Sequence, residues 1–77
     1  MGRLPVLSGR EVIRGLKSVG FVVVGHKGSH VRLKGTVDVA VRVVIVPDHR
    51  ELTPGTRASV IRQSGLGRQR FVALFER

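Results

Sequence analysis

Three histidines, His26, His30 and His49, are the only side chains here whose ordinary pKa lies near neutrality, since cysteine is absent. His30 has the most suggestive surroundings. It follows Gly28-Ser29, Lys27 stands just before, and Arg32 and Lys34 come after it at alternate positions. An imidazole can take a proton and give one back, which speeds a reaction by roughly 10²–10⁴-fold. Nearby cations stabilise negative charge that builds up on phosphorus. A substrate with its own nucleophile suits such a site, and RNA has one in its 2′-hydroxyl. A single histidine among phosphate-binding cations could therefore cleave RNA without a metal. The residue type alone favours a plain surface histidine at the start of a strand.

The remaining candidates are weaker. His26, His30 and His49 match no zinc spacing, and Asp48 is the only carboxylate beside a histidine. No metal and no cofactor is expected. His49, after Pro47-Asp48, reads as a turn residue or an RNA contact. Ser29 is poorly placed as a nucleophile for His30, because adjacent strand residues point to opposite faces. Lys27, Gly28, Ser29, Arg32, Lys34 and His49 are the expected substrate contacts. Gly25-His26-Lys27-Gly28 fits the GxxG spacing of KH domains, but that loop joins helices and this one joins predicted strands, so it reads as a flexible hairpin. There is no Tyr or Trp, and the three Phe residues read as core. Binding should then rest on charge and shape rather than base stacking.

The elements that position these residues can be read from pattern. Ser8 and Glu11 form a capping box, and Val12, Ile13, Leu16 and Val19 follow with helical spacing. Arg10, Arg14 and Lys17 take the opposite side, and Gly20 ends the helix. Phe21 to Val24 reads as a strand. From His30 to Lys34, Val31 and Leu33 alternate with His30, Arg32 and Lys34. Lys34-Gly35-Thr36 reads as a turn. Val37, Val39, Val41, Val43 and Ile45 then form one apolar face, with Asp38, Ala40 and Arg42 on the other, until Pro47 ends the strand. Thr53-Pro54 opens a second helix, Gly65 stops it, and Phe71, Leu74 and Phe75 suggest a short terminal helix. The order is α-β-β-β-α. Two helices can cover only one face of a three-stranded antiparallel sheet, so the face with His30 should stay in water.

The chain has 77 residues, enough for one domain spanning 1–77. Fourteen Lys and Arg face five Asp and Glu, a formal net charge of +9. That excess points to a polyanionic partner such as RNA or an acidic protein. No apolar run approaches the roughly 20 residues of a membrane span, and Met1 to Val6 is too weakly apolar for a signal peptide. The lack of cysteine fits a reducing cytoplasm.

Several segments together resemble one family. They are Ser8-Gly9-Arg10-Glu11-Val12, Gly20-Phe21, Lys27-Gly28-Ser29-His30, Val46-Pro47-Asp48-His49, Leu52-Thr53-Pro54-Gly55-Thr56 and Arg62-Gln63-Ser64-Gly65-Leu66. In this order the chain resembles the HicA (YcfA-like) toxin family from about Ser8 to Phe75. The resemblance implies an α+β fold like a double-stranded-RNA-binding domain, with a three-stranded antiparallel sheet and two helices on one face. It implies an mRNA interferase, an endoribonuclease of a toxin–antitoxin system, with His30 as the catalytic histidine. It also implies a HicB-type antitoxin that covers the site. The stretch from Lys34 to Val46 is longer than the family usually carries, which implies a longer hairpin. A non-catalytic basic RNA-binding module of the same fold is the alternative.

Overall fold

The computed structural model describes residues 6–76. The segment read as no signal peptide, apart from Val6, lies outside the described residues, as does Arg77. The chain runs α1 (Gly9–Ser18), β1 (Val22–Lys27), β2 (His30–Val37), β3 (Ala40–Pro47), α2 (Pro54–Ser64) and α3 (Gly67–Ala73). The sheet is antiparallel, in the order β1-β2-β3.

Local chemistry sets the helix ends. Ser8 Oγ accepts from the Glu11 N–H, and the Glu11 carboxylate accepts from the Ser8 N–H, closing the capping box that starts α1. Thr53 caps α2 with Pro54 at its first turn. Gly65 ends it in the left-handed conformation, φ +72°. Val19 departs from the helical reading. It is the C-cap of α1 and lies exposed rather than against the core.

One hydrophobic cluster holds the layers together. Val12 and Leu16 of α1, Val60 of α2 and Phe71 of α3 meet Val31, Leu33, Val37, Val44 and Val46 of the sheet. Leu74 and Phe75 pack against its margin, with the Phe71 and Phe75 rings 5.3 Å apart. The helices therefore share one face of the sheet, and the architecture is α+β, like a double-stranded-RNA-binding domain.

Three parts of the sheet differ from the sequence reading. First, β1 is longer than Phe21 to Val24. Gly25, His26 and Lys27 belong to the strand, and only Gly28 and Ser29 make the turn. An irregularity between Val23 and Gly25 lets the strand continue past the glycine. Second, Lys34-Gly35-Thr36 is not a turn but the middle of β2. Gly35 is there because the Phe21 ring lies over it. A Cβ at Gly35 would sit 2.8 Å from that ring.

Third, the apolar face of β3 is the opposite of the one read. The turn is Asp38-Val39, both at positive φ (51° and 63°), so Val37 pairs with Ala40. Paired residues share a face. Val37 and Ala40 are three apart in the chain, so counting in twos from Val37 falls out of phase beyond the turn. Val44 and Val46 are buried, whereas Val41, Val43 and Ile45 lie on the open face. Arg42 is on the covered face, half-buried against Gly65, and its Nε has no hydrogen-bond partner among the described residues.

Candidate active site

His30 is the first residue of β2, and its position is fixed from both sides. Lys27 of β1 pairs with it across the Gly28-Ser29 turn, and Pro47 of β3 pairs with it on the other flank. Gly28 has φ +59°, at the turn position that a II′ hairpin reserves for glycine. The Ser29 carbonyl accepts from the Asp48 N–H at 2.7 Å, tying the turn to the end of β3. The His49 carbonyl accepts from the Gly9 N–H at 2.9 Å, which ties that loop to the start of α1. The backbone around His30 is thus held by two strands, a loop and a helix N-terminus.

The alternation along β2 puts His30, Arg32 and Lys34 on the open face and buries Val31 and Leu33 between them. His30 is exposed, and no side chain hydrogen-bonds it among the described residues. A shallow depression at this end of the sheet is lined by Gly25, His26, Lys27, His30, Arg32 and Ile45. Gly25 shapes it. It pairs with Arg32, and a Cβ there would lie 3.7 Å from the guanidinium Nη2. The Arg32 side chain therefore lies against β1, beside His30.

Not all the sequence-read site residues gather here. His30, Lys27 and Arg32 line the depression, and Gly28 and Ser29 form its adjoining turn. Lys34 is on the same face but four residues further along β2, about 13 Å away at the usual strand rise. His49 belongs elsewhere. It lies with Ser8, Arg10, Asp48 and Arg50 in a second depression at the start of α1, where Arg10 meets Asp48 at 3.5 Å. Gly25, His26 and Ile45 line the His30 depression without having been among the expected substrate contacts. Gly25 and His26 were read as hairpin loop, and Ile45 as part of the apolar face of the third strand.

Arg70, far from His30, ties down the tip of the β2–β3 hairpin. Its guanidinium grips the Asp38 carboxylate through two hydrogen bonds of 2.9 and 3.3 Å. It also reaches the Leu66 carbonyl at 2.7 Å. The hydrogen bond and charge of Arg70 hold the Asp38 carboxyl below its usual pKa, and Asp38 holds the guanidinium above its own. This clamp sits at the hairpin tip, the far end from His30.

A family model described as the HicA toxin of bacterial toxin–antitoxin matches residues 9–66, well over half of the chain. The chain belongs to the HicA toxin family. The match takes in α1, the whole sheet and α2, and so includes His30 and every residue lining its depression. It ends at Leu66, just before α3. Membership makes the chain a toxin of a toxin–antitoxin system, which implies a HicB-type antitoxin as its partner. No curated protein matches the chain. No helix among the described residues is long and apolar enough to cross a membrane.

Proposed function

We propose that this HicA toxin is a metal-independent endoribonuclease that cleaves mRNA in the cytoplasm, with His30 as its proton-transfer group. The observation that carries the reading is one of position. His30 stands solvent-facing on a rigidly held backbone, in one depression with Lys27 and Arg32. RNA lying along the open face would bring a phosphodiester to these cations. The neutral imidazole takes the proton of the 2′-hydroxyl as its oxygen attacks phosphorus. The bond from phosphorus to the 5′-oxygen breaks, that oxygen leaves with a proton from water, and the hydroxide so formed takes back the proton held by the imidazolium. Lys27 and Arg32 stabilise the extra negative charge on the phosphoryl oxygens. The products are a 2′,3′-cyclic phosphate and a free 5′-hydroxyl. No residue has to serve as a metal ligand in this scheme.

In the same reading, Gly28 and Ser29 offer backbone contacts to the RNA, and Lys34 and His49 bind flanking phosphates. A HicB-type antitoxin silences the toxin by covering the face that carries His30, which its cationic surface and the family's pairing with an antitoxin both favour.

The test is RNA cleavage by the wild type and by His30→Ala in excess EDTA, with circular dichroism as a folding control. Truncating an exposed side chain changes stability by only about 0.5 kcal/mol. Loss of the proton transfer should cut the rate by roughly 100-fold or more. EDTA should leave the wild type unaffected. Equal cleavage by both proteins removes His30 from the mechanism. No cleavage by either, with tight RNA binding retained, points instead to a non-catalytic RNA-binding module. An antitoxin that binds together with RNA, without competition, contradicts silencing by occlusion.

A further inference from the structure

The clean alternation Val39, Val41, Val43, Ile45 is the sequence signature of a buried strand face. The fold leaves that face uncovered. Val39 is 98% exposed, Val41 63%, Val43 46% and Ile45 36%. The stripe runs from the hairpin tip to the rim of the His30 depression. At its tip, Val39 holds φ +63°, a conformation a β-branched residue seldom adopts. Single exposed valines need no explanation, but Val41, Val43 and Ile45 in line on β3, with Val39 at the turn beyond them, form a patch of the kind that marks an interface.

Two features say what covers it. One strand over, on the same face, lies the cationic row of His30, Arg32 and Lys34: Arg32 pairs with Ile45 and Lys34 with Val43. The surface is thus an apolar row beside a basic row. A second copy of the chain would bring basic row to basic row, on bodies that each carry a net charge of +9. RNA would satisfy the basic row but would leave the valines facing a charged backbone. A protein with apolar side chains flanked by carboxylates satisfies both. The edge of β3 is partly closed to an added strand, since Gln63 Oε1 already accepts the Ile45 N–H at 2.7 Å. A partner on the face leaves that hydrogen bond in place, whereas an added strand would have to break it.

We infer that the β3 stripe centred on Val41 and Val43 is an anchor for the acidic antitoxin, separate from the RNA-cleaving end of the same face. The inference rests on the reading that an antitoxin covers this face. It adds that antitoxin affinity and RNA handling draw on different residues. Apolar area at the stripe holds the antitoxin, and the basic row supplies orientation and rate of encounter.

The experiment uses the full chain, wild type and Val41→Ser/Val43→Ser, titrated with a purified HicB-type antitoxin from the same source organism and, separately, with a single-stranded RNA oligonucleotide. Both substitutions are at exposed sites and leave the charge unchanged, and circular dichroism checks the fold. Antitoxin affinity should fall by about 30-fold, the worth of two half-buried valines. RNA affinity and cleavage in the absence of antitoxin should stay within about twofold. Unchanged antitoxin affinity overturns the proposal, and so does failure of that protein to bind the wild type. A parallel loss of RNA affinity makes the stripe part of the RNA surface and also overturns it. A wild-type dimer that the double substitution dissociates, seen by sedimentation, assigns the stripe to a second copy instead. Cleavage by His30 is judged without antitoxin, so that reading and this one can fail separately.

Discussion

Gly9→Ala is a small change that should have a large effect, because Gly9 lies where α1 meets the end of β3. In most helices replacing glycine by alanine gains up to about 1 kcal/mol. Here the added Cβ would run into the Pro47 carbonyl oxygen and come within 3.0 Å of the Asp48 Cα. Those atoms are backbone and cannot rotate away. Either α1 or the β3 end must shift, which overpacking data put at about 1–3 kcal/mol. The shift also strains the hydrogen bond from Gly9 to His49, worth about 1 kcal/mol. After the helix gain is subtracted, the net destabilisation is about 2 kcal/mol, or a fall in Tm of about 10 °C for a domain of this size. Pro47 pairs with His30, so RNA cleavage should fall as well at temperatures where the variant is still folded. Gly55 is the internal control. It lies in the first turn of α2, and a Cβ there meets nothing within 4 Å. Gly55→Ala should leave stability unchanged or raise it by up to about 1 kcal/mol. The assay is thermal and urea unfolding followed by circular dichroism. If Gly9→Ala is as stable as the wild type, the close approach of α1 to Pro47 is wrong, and with it the account of how His30 is held.

Two further outcomes follow from charge. RNA affinity should fall steeply with salt, with a slope of about −0.7 per phosphate contact, and Arg32→Ala should make that slope shallower by about one contact; affinity that is flat across salt would contradict the electrostatic account. The Asp38–Arg70 clamp should respond to acid. Arg70 lowers the folded-state pKa of Asp38 below its ordinary 3.8, so the clamp contributes fully above that value and is lost as pH falls through the lowered one. Asp38→Asn should be less stable than the wild type at neutral pH, and the gap should close in strong acid. A gap that persists unchanged in acid means the carboxylate's charge is not what stabilises the tip.

Sequence alone conveyed the helices well, because their ends are set by side chains a few residues away: Ser8 with Glu11, Thr53 with Pro54, Gly65 by its own conformation. The first half of the His30 strand, His30 to Lys34, was equally legible, since its alternation lies wholly within one strand. What could not be read was anything decided across strands. Gly35 looks like a turn residue until Phe21, fourteen positions earlier in the chain, is seen lying over it. The phase of β3 depends on where two residues turn, and Asp38-Val39 carries no glycine to mark the place. Arg70 reads as one more surface cation because its partner, Asp38, is 32 residues away. At the site, the chemistry of His30 was visible from its neighbours, whereas the part played by Gly25 needed the pairing with Arg32.

The two-residue turn at Asp38-Val39 also constrains how this hairpin can change length over generations. Each strand presents one face to the core and one to the surface, and pairing to β2 keeps Val44 and Val46 on the inner side. Insertion of a single codon at the tip would either open the turn or push β3 by one residue, exchanging its two faces. Codons added in pairs, one to each strand, lengthen the hairpin and leave every existing residue on its own side. Any change in the length of this hairpin should therefore come in even numbers, except where an odd residue is absorbed as a bulge, as β1 does between Val23 and Gly25.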